Sequence, residues 1–276
     1  MGTGDFALFA SSPFLLWEKN MLIDLHSHLL PNIDDGSKSL RASIRMAKEA
    51  VDSGIKAALM TPHHMNGHYV NHKDDVIRLT SEFQKHLDNN DIGLQVFPSQ
   101  EVRINGGLLQ ALDDDDILFA DESNRYLLLE FPDDDVPTYS KDMIFQIMQR
   151  GITVEIAHPE RNTKIMSTPS ILFDLIEAGA VAQVTASSYV GTFGKKVEKF
   201  AEEIIKHNLA HVFVSDAHDL PNRDYEMAEA MAKLEKQLGR DYQELFETNA
   251  EAILDGDNVT SLVPEPIVKR KFFSKF

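Results

Sequence analysis

Residues of metal-ligand type occur in short motifs along most of the chain. Imidazole and carboxylate groups together suit Mn, Zn or Fe, whereas a set without thiolates does not favour soft metals. The chain has no cysteine, which excludes disulfides, Cys-ligated zinc, iron–sulfur clusters and enzymes with a cysteine nucleophile. The candidate ligands are His26, His28, Asp34, Asp35, His63, Glu101, Glu130, His158, Asp216 and His218. Their types predict metal-dependent chemistry that needs no thiol.

Each motif has a simpler interpretation when it is taken alone. His26 and His28 could be two surface histidines that bind nothing. An arginine could neutralise Glu130, which lies beside an apolar run where an unpaired carboxylate is costly. Asp216 and His218 could form a hydrogen-bonded pair without a metal. The positions of the motifs relative to the secondary structure are therefore needed to choose between these interpretations.

Seven apolar runs have the length and composition of buried strands. They are apolar throughout rather than alternating, as expected for a parallel sheet that is covered on both faces. The runs lie at 22–25, 55–60, 92–97, 125–131, 152–157, 180–185 and 211–215. Segments of helical period separate them. This alternation predicts a single-domain α/β protein, and its even spacing favours a (β/α)7 TIM-like barrel over an open sheet.

Three of the separating segments carry a clear apolar stripe at helical spacing. The stripes are Leu40, Ile44, Ala47 and Val51 before Gly54; Val76, Leu79, Phe83 and Leu87; and Ile171, Leu175 and Ile176 before Gly179. We therefore expect helices that pack one face against the strands.

Six of the seven predicted strands are followed by a histidine or an acidic residue. Barrel enzymes place their chemistry at the carboxyl ends of the strands, so these side chains would converge on one rim. The sixth strand differs and is followed by Thr185, Ser187 and Ser188. Repeated accident is a poor explanation for ligand-type residues at the same end of six strands. The joint pattern favours a metal site.

Two arginines follow the predicted ligands on rim loops. Arg161 comes three residues after His158, and Arg223 comes shortly after His218. Because a guanidinium group matches phosphate with two parallel hydrogen bonds, a metal cluster beside arginines indicates phosphoester hydrolysis. Salt bridges to the many local acids are the alternative for both arginines. The other histidines are interpreted as surface or capping residues: His64, His68, His72, His86, His207 and His211.

The charge and the ends of the chain restrict its partners. The formal net charge of −17 argues against a nucleic-acid-binding protein, which would show a basic face. No apolar run approaches the roughly 20 residues that span a bilayer. We expect residues 1–20 to be an extension outside the fold, residues 21–255 to form the barrel, and residues 256–276 to be a basic, aromatic tail. The expected location is the cytoplasm, with the tail able to touch the inner face of the membrane.

The motifs resemble those of the polymerase-and-histidinol-phosphatase (PHP) superfamily. More narrowly, they are similar to bacterial PHP-type protein tyrosine phosphatases of capsule and exopolysaccharide loci. The matching stretches are DLHSHLLPNIDDGSKS at 24–39, TPHH at 61–64, QE at 100–101, YLLLEF at 126–131, AHPER at 157–161 and SDAH at 215–218. They follow the family order over most of the chain.

The resemblance implies a distorted seven-stranded barrel with three divalent metal ions, most often manganese, with Fe, Zn, Co or Mg as alternatives. His26, His28, Glu101 and Asp216 would hold the first ion. Glu101 would bridge to a second ion that is completed by Glu130 and His158. Asp35, His63 and His218 would hold the third, and Arg161 and Arg223 would bind phosphate.

The resemblance also implies a substrate, the phosphotyrosines in the tail of a bacterial tyrosine kinase that controls polysaccharide export. The main alternative is a PHP phosphatase of a small metabolite such as histidinol phosphate. A phosphodiesterase or nuclease is a wider alternative that the net charge disfavours. A scaffold that binds phosphoproteins without turnover is the alternative from another class.

Overall fold

Nine parallel strands form the centre of the protein. The computed structural model describes residues 22–221 and 223–268. The strands are β1 (Leu22–Ser27), β2 (Ile55–Met60), β3 (His63–His64), β4 (Gln95–Pro98), β5 (Glu101–Arg103), β6 (Tyr126–Glu130), β7 (Thr153–Ile156), β8 (Val181–Thr185) and β9 (Val212–Val214). Each of the seven predicted runs overlaps a strand. The third run was predicted from residue 92, but its strand begins at Gln95, and the two-residue and three-residue strands β3 and β5 are additional.

Helices cover the strands from outside. They are α1 (Leu40–Asp52), α2 (Lys73–Asp88), α3 (Leu108–Asp113), α4 (Ser140–Met148), α5 (Thr163–Ser167), α6 (Ser170–Glu177), α7 (Ala186–Val190), α8 (Lys195–Lys206), α9 (Met227–Leu238) and α10 (Arg240–Asp255). The three predicted apolar stripes lie on α1, α2 and α6. Within the described part of the chain, no helix is both long and apolar enough to cross a membrane.

The strands are arranged in two parallel sheets, in the orders β1-β2-β4 and β3-β5-β6-β7-β8-β9. Only two residues separate β2 from β3, and only two separate β4 from β5. Backbone hydrogen bonds continue across these breaks, from Ser99 N to Met60 O (2.9 Å) and from Glu101 N to Pro62 O (3.2 Å). Pro62 has no N–H group to donate, which is a local reason for an interrupted ladder. The result is a curled sheet of parallel strands.

The first and last strands meet at their carboxyl ends. Ser27 forms a parallel bridge with Ala217. Asp216 N donates to His26 O at 2.8 Å, and His28 N donates to Ala217 O at 3.1 Å. We call these contacts the seam. The seam brings the residues that follow β1 next to those that follow β9.

Two apolar clusters hold the fold together. The larger one lies between the strands and the surrounding helices and includes buried residues of all three predicted stripes. The smaller one joins strand residues such as Ile23, Tyr126 and Val181 to Ile253 and Leu254 of α10. Removal of these side chains from water is the main favourable contribution to folding. It fixes the strand ends that carry the candidate site.

The segment after α10 has no helix or strand in residues 256–268, but it is hydrogen-bonded to the fold. Asn208 Nδ2 donates to Val263 O at 2.8 Å. Thr260 N donates to Asn249 Oδ1 at 2.9 Å. The proposed extension at 1–20 and the basic, aromatic end of the tail at 269–276 lie outside the described residues.

Candidate metal centre

The structure brings all nine predicted metal ligands to the carboxyl ends of the strands. His26 and His28 lie at the end of β1, His63 lies three residues after the end of β2 as the first residue of β3, and Glu101 lies three residues after the end of β4 as the first residue of β5. The remaining ligands lie at or just after strand ends or on the loop after β1: Asp35, Glu130, His158, Asp216 and His218. The expectation that ligands from six strand ends converge agrees with this arrangement.

The innermost group consists of four donor atoms on fully buried side chains. His26 Nε2 lies 3.1 Å from His28 Nε2, 3.3 Å from Glu101 Oε2 and 3.5 Å from Asp216 Oδ1. His28 Nε2 lies 3.4 Å from both carboxylate oxygens. At metal–ligand distances near 2.1 Å, the donors of a tetrahedral site lie roughly 3.4 Å apart. The spacing of this group therefore suits a small divalent cation.

His63 directs both ring nitrogens at carboxylates. Its Nδ1 lies 2.8 Å from Glu101 Oε2 and 3.7 Å from Glu130 Oε2, whereas its Nε2 lies 3.3 Å from Asp35 Oδ1. His218 Nε2 lies 3.5 Å from the same Asp35 oxygen. The resemblance assigned His63 to the group of Asp35 and His218 only. The structure places it between that group and the pair Glu101 and Glu130.

Glu101 occupies the centre of the site. Its Oε2 faces His26, His28 and His63, and its Oε1 lies 2.8 Å from His158 Nε2. Each carboxylate oxygen is thus directed at a different set of nitrogens. A bridging role between two cations, as the resemblance implies, requires this arrangement.

Four buried polar atoms of the site make no hydrogen bond of good geometry, although oppositely charged groups lie close to them: Asp35 Oδ1, His63 Nδ1, Glu101 Oε2 and His218 Nε2. A buried polar atom without a partner costs about 1–3 kcal/mol, and such atoms are rare in native proteins. Here they point at one another, in three groups whose donors lie within 4.8 Å. Divalent cations would satisfy all four atoms at once, so the residues fit a metal centre.

A second layer of side chains holds the inner histidines. Asp34 Oδ2 accepts from His28 Nδ1 at 2.7 Å, and Gln183 Oε1 accepts from His26 Nδ1 at 2.9 Å. The sequence left open whether Asp34 or Asp35 is the ligand. In the structure Asp34 lies behind His28, whereas Asp35 faces His63 and His218.

The loop that carries Asp34 and Asp35 requires a glycine at position 36. A Cβ atom on Gly36 would overlap the carbonyl oxygen and the Cβ of His28. Gly36 N also donates to Asp34 Oδ1 at 2.9 Å, which fixes the carboxylate that holds His28. The glycine of the IDDG motif therefore allows the loop to close directly over the first strand end.

The charges of the site stabilise one another. Burial raises the pKa of Glu101, but the imidazoles of His26 and His63 outweigh this effect and hold it well below its usual range. Burial likewise opposes the charge of Asp216, yet Arg161 and Arg223 hold its pKa well below normal. In the absence of metal, these carboxylates remain ionised.

Two other groups of the site show large shifts. Burial, together with the charge of Arg161, lowers the pKa of His158 to about 4. Burial and the charge of Glu101 raise the pKa of Glu130 to about 7. His158 is therefore neutral at pH 7, as a metal ligand must be.

Both predicted phosphate-binding arginines contact Asp216. Arg161 Nη2 lies 2.6 Å from Asp216 Oδ2, and Arg223 Nη2 is paired with the same oxygen. The salt bridges that were considered as an alternative are thus formed. They involve Oδ2, whereas Oδ1 of the same carboxylate faces His26 and His28. The arginines consequently lie next to the inner group and at the cleft surface.

Arg103 is a third arginine at the site and was not among the residues predicted from the sequence. Its Nε lies 2.8 Å from Glu130 Oε2. The signal was its spacing, because Arg103 follows Glu101 by two residues on β5, and alternate residues of a strand lie on the same face. An open cleft of about 630 Å³ has all three arginines in its lining, together with Tyr69 and Phe131. This volume is in the range of small-molecule sites.

The end of the sixth predicted strand supports the site without a ligand. Thr185 N donates to Glu160 Oε1 at 3.1 Å, and Ser188 Oγ donates to the same oxygen at 2.6 Å. Glu160 precedes Arg161 in a 3-10 turn, Pro159–Arg161. The residues at this strand end therefore anchor the turn that carries a phosphate-binding candidate.

The interpretation of the remaining histidines as surface or capping residues is wrong for two of them. His64 and His211 are buried. His64 lies on the short strand β3, and His211 Nδ1 accepts from Ala182 N at 3.2 Å. Burial of His211 lowers its pKa to about 4, so it is neutral in the fold. His68, His72 and His86 are exposed, as predicted.

The family model for capsular polysaccharide synthesis proteins CpsB/CapC matches residues 22–255. The chain belongs to the CpsB/CapC family. Tyrosine-protein phosphatase YwqE from Bacillus subtilis (strain 168) is 38% identical over 255 residues, which cover 92% of this chain and all of YwqE. The putative tyrosine-protein phosphatase CapC from Staphylococcus aureus is 32% identical, over 91% of this chain and 98% of its own. The resemblance to capsule-locus phosphatases is thus confirmed.

A solved structure supports the CpsB/CapC fold. It comes from work on YwqE from Bacillus subtilis and CpsB from Streptococcus pneumoniae, described as metal-dependent tyrosine phosphatases. It superposes with a TM-score of 0.87 at 38% identity and covers 90% of this chain and 100% of its own. The curled parallel sheet with its helices is therefore the architecture of this relative.

Proposed function

We propose that this protein is a metal-dependent phosphatase that removes phosphate from phosphotyrosine in proteins. One observation carries the proposal: buried donor atoms without partners converge beside a cleft that is lined by three arginines. A scaffold without turnover would not need unsatisfied ligands next to a phosphate-sized binding surface. The names of the relatives, tyrosine-protein phosphatase YwqE among them, support the same substrate class.

We propose that the centre holds three divalent ions, which are Mn, with Fe, Zn, Co or Mg as alternatives. His26, His28, Glu101 and Asp216 would hold the inner ion. The second ion would lie among Glu101, Glu130 and His158, and the third among Asp35, His63 and His218. Three overlapping groups of possible ligands in the structure support this number, although they include neither Asp216 nor His158: His26, His28 and Glu101; His63, Glu101 and Glu130; and His28, Asp35, His63 and His218.

Bound divalent ions would lower the pKa of a water molecule and stabilise the charge that develops on the phosphoryl oxygens. The protein side chains supply orientation. The guanidinium groups of Arg161 and Arg223 reach the cleft from the face of Asp216, so they can hold phosphoryl oxygens beside the inner group. Arg103 lies at the opposite carboxylate, Glu130. The substrate phosphate would therefore lie between fixed positive groups.

The fold we propose in detail is a closed, distorted (β/α)7 barrel of the PHP type. The seam between β1 and β9 supports closure, as do the hydrogen bonds that continue across the breaks between β2 and β3 and between β4 and β5. If β2 and β3 are counted as one strand, and β4 and β5 as another, the nine short strands correspond to the seven predicted ones. The barrel domain would span residues 21–255.

The partner we propose is a bacterial tyrosine kinase of polysaccharide export, through the phosphotyrosines of its tail. The family description, capsular polysaccharide synthesis, supports this context. Such a kinase uses ATP, so its phosphorylated tail lies in the cytoplasm, and we propose the same location for this protein. The net charge of −17 supports the absence of a nucleic-acid partner.

The test is a comparison of kcat/KM for two substrates. An aryl phosphate releases a phenol with a pKa of about 10, so it is intrinsically easier to hydrolyse than an alkyl phosphate. Hydrolysis of a generic aryl phosphate is therefore weak evidence. A phosphotyrosine peptide from a kinase tail is expected to exceed histidinol phosphate in kcat/KM. The opposite order would assign the protein to the metabolite phosphatases and leave the metal site in place.

A further inference from the structure

Three fully buried polar side chains connect the strand interior to the inner metal group. Glu155 on β7 accepts from Gln183 Nε2 on β8 through its Oε1, at 2.9 Å. Gln183 Oε1 in turn lies 2.9 Å from His26 Nδ1 at the end of β1. All three residues have 0% exposure. We call Glu155 and Gln183 the relay.

The relay determines which nitrogen of His26 carries a proton. Gln183 Nε2 donates to Glu155 Oε1, and an ionised Glu155, whose negative charge bound cations would stabilise, can only accept hydrogen bonds. The amide oxygen then faces His26, and Nδ1 must be the N–H donor. This leaves the lone pair of His26 Nε2 directed at His28, Glu101 and Asp216. A neutral imidazole binds a metal only through such an unprotonated nitrogen.

The position of Glu155 is costly for the fold itself. Barrel interiors are normally filled by branched apolar residues, and an apolar side chain here would avoid the burial of a charge. Glu155 Oε2 is buried and has no hydrogen-bond partner, which adds to the cost. Burial raises the pKa of Glu155 to about 7, which reflects the same penalty. Divalent cations near His26 would offset this charge.

We propose that Glu155 is a positioning residue for the inner metal ion, acting through Gln183 to hold His26 in its ligating tautomer. The proposal rests on the metal centre of the proposed function. Asp34 performs the same task for His28 through a direct contact. Glu155 acts indirectly, because Gln183 lies between it and the His26 ring.

The decisive variant is Glu155→Gln in the full chain. The introduced amide is uncharged and can present either its oxygen or its NH₂ group to Gln183, so the oxygen of Gln183 is no longer held toward His26. When Gln183 turns its NH₂ group toward His26, Nδ1 becomes an acceptor and the proton moves to Nε2, the nitrogen that must bind the metal. We expect roughly 10–100-fold weaker binding of the most tightly held Mn²⁺ ion, measured by competition with a chelator. The ¹⁵N shifts of the His26 ring in metal-free protein, recorded at a pH at which the ring is neutral, should report the change of tautomer.

A control variant separates this effect from a general loss of stability. Asn249→Ala removes a buried amide of α10 that bonds His211 O and lies outside the relay. Its Mn²⁺ affinity should stay within about twofold of the unmodified protein. Gln183→Met removes both relay hydrogen bonds and retains the side-chain length, so it provides a second test if Glu155→Gln fails to fold. It should weaken Mn²⁺ binding by a similar factor.

The outcomes distinguish the relay from the proposed function. If the unmodified protein binds no Mn²⁺, the metal centre and the proposed function are both wrong. If the unmodified protein binds Mn²⁺ and the relay variants bind it within twofold, with the His26 tautomer unchanged, the metal centre stands and the relay is wrong. Weaker binding together with the opposite tautomer would establish Glu155 as the positioning residue.

Discussion

The candidate metal centre has an inner half, the group of His26, His28, Glu101 and Asp216, and an outer half around Asp35, His63 and His218. The two halves differ in how their histidines and carboxylates are held. His26 and His28 are fully buried, and the second ring nitrogen of each is bonded to a side chain behind it. In the outer half, the Asp35 side chain is 45% exposed and His63 12% exposed. His63 directs both nitrogens into the site, so among the described residues no side chain behind the ring holds either nitrogen by a hydrogen bond. The inner half is preorganised, whereas the outer half depends more on the ions themselves.

This difference predicts an order of affinity. Preorganised ligands lose little conformational freedom when a metal binds, and partners behind them orient the lone pairs. The inner ion should therefore bind most tightly, and the ion near Asp35 should leave first. The side chains of Arg161 and Arg223 are partly exposed, as those of the outer half are, but both contact Asp216 of the inner half.

The largest expected effect is the removal of all metal. Exhaustive chelation with verified metal loss should abolish turnover, whereas thiol-alkylating reagents should leave it unchanged because the chain has no cysteine. Stepwise chelation, followed by metal analysis, should remove the outer ion before the inner one. Full activity of the stripped protein would contradict the proposed chemistry.

Glu101→Ala removes the group that both halves share. Because Glu101 faces four histidines, we expect a loss of metal from both halves, and turnover should fall by more than the roughly 10–100-fold typical of second-layer partners. His86→Ala, on the exposed last turn of α2, is the control and should change neither quantity. Equal metal content in the two variants would mean that the site is placed incorrectly.

Arg161→Ala should affect catalysis without emptying the site. Loss of a charged donor to developing oxyanion charge costs roughly 10²–10³ in rate. Metal content should remain near normal, since Arg223 is still paired with the same Asp216 oxygen. Arg78→Ala on the exposed surface of α2 is the matched control for a lost guanidinium group. If the metal content falls in parallel with the rate, Arg161 stabilises Asp216 and does not bind phosphate.

Gly36→Ala should distinguish the halves directly. The added Cβ would overlap His28 and displace the loop with Asp34 and Asp35, and overpacking of this kind costs about 1–3 kcal/mol. We expect the ion near Asp35 to bind more weakly by a larger factor than the inner ion. In the control Gly93→Ala, the new Cβ meets no atom within 4 Å, so both affinities should be retained. An equal loss at both positions would argue against separate halves.

The smallest effect concerns a histidine outside both halves. Burial lowers the pKa of His211 to about 4, below its value near 6.5 in an unfolded chain. The unfolded state therefore binds the extra proton first, so this contribution to stability is complete above pH 6.5 and lost as the pH falls toward 4. For His211→Gln, the free energy of unfolding measured with denaturant should fall less steeply between pH 6.5 and pH 4 than it does for the unmodified protein.

The sequence was sufficient for the elements and most ligands because both depend on local pattern. Apolar runs define the strands, and the residue after a strand is fixed by chain order, so His158 and Asp216 could be placed without coordinates. The choice between Asp34 and Asp35 could not be made, since it depends on how the loop closes over His28. The burial of His211 depends on contacts with β8 that are distant in sequence.

The relay was also missed, although it left a signal. Glu155 and Gln183 are single polar residues inside the apolar runs ITVEIA and AVAQVT. A polar side chain in a strand that is buried on both faces needs a partner. The partner can be identified only when the order of β7, β8 and β1 around the sheet is known, because it comes from another strand.

The seam has a consequence for synthesis of the protein on the ribosome. Translation produces β1 first, but the residues that bridge to its end, Asp216 and Ala217, are added nearly two hundred residues later. A nascent or prematurely terminated chain therefore presents His26 and His28 without Asp216. Such a fragment lacks part of the proposed inner donor set and would hold the proposed inner ion less tightly than the full chain. Complete assembly of this donor set requires a chain that has been translated past β9.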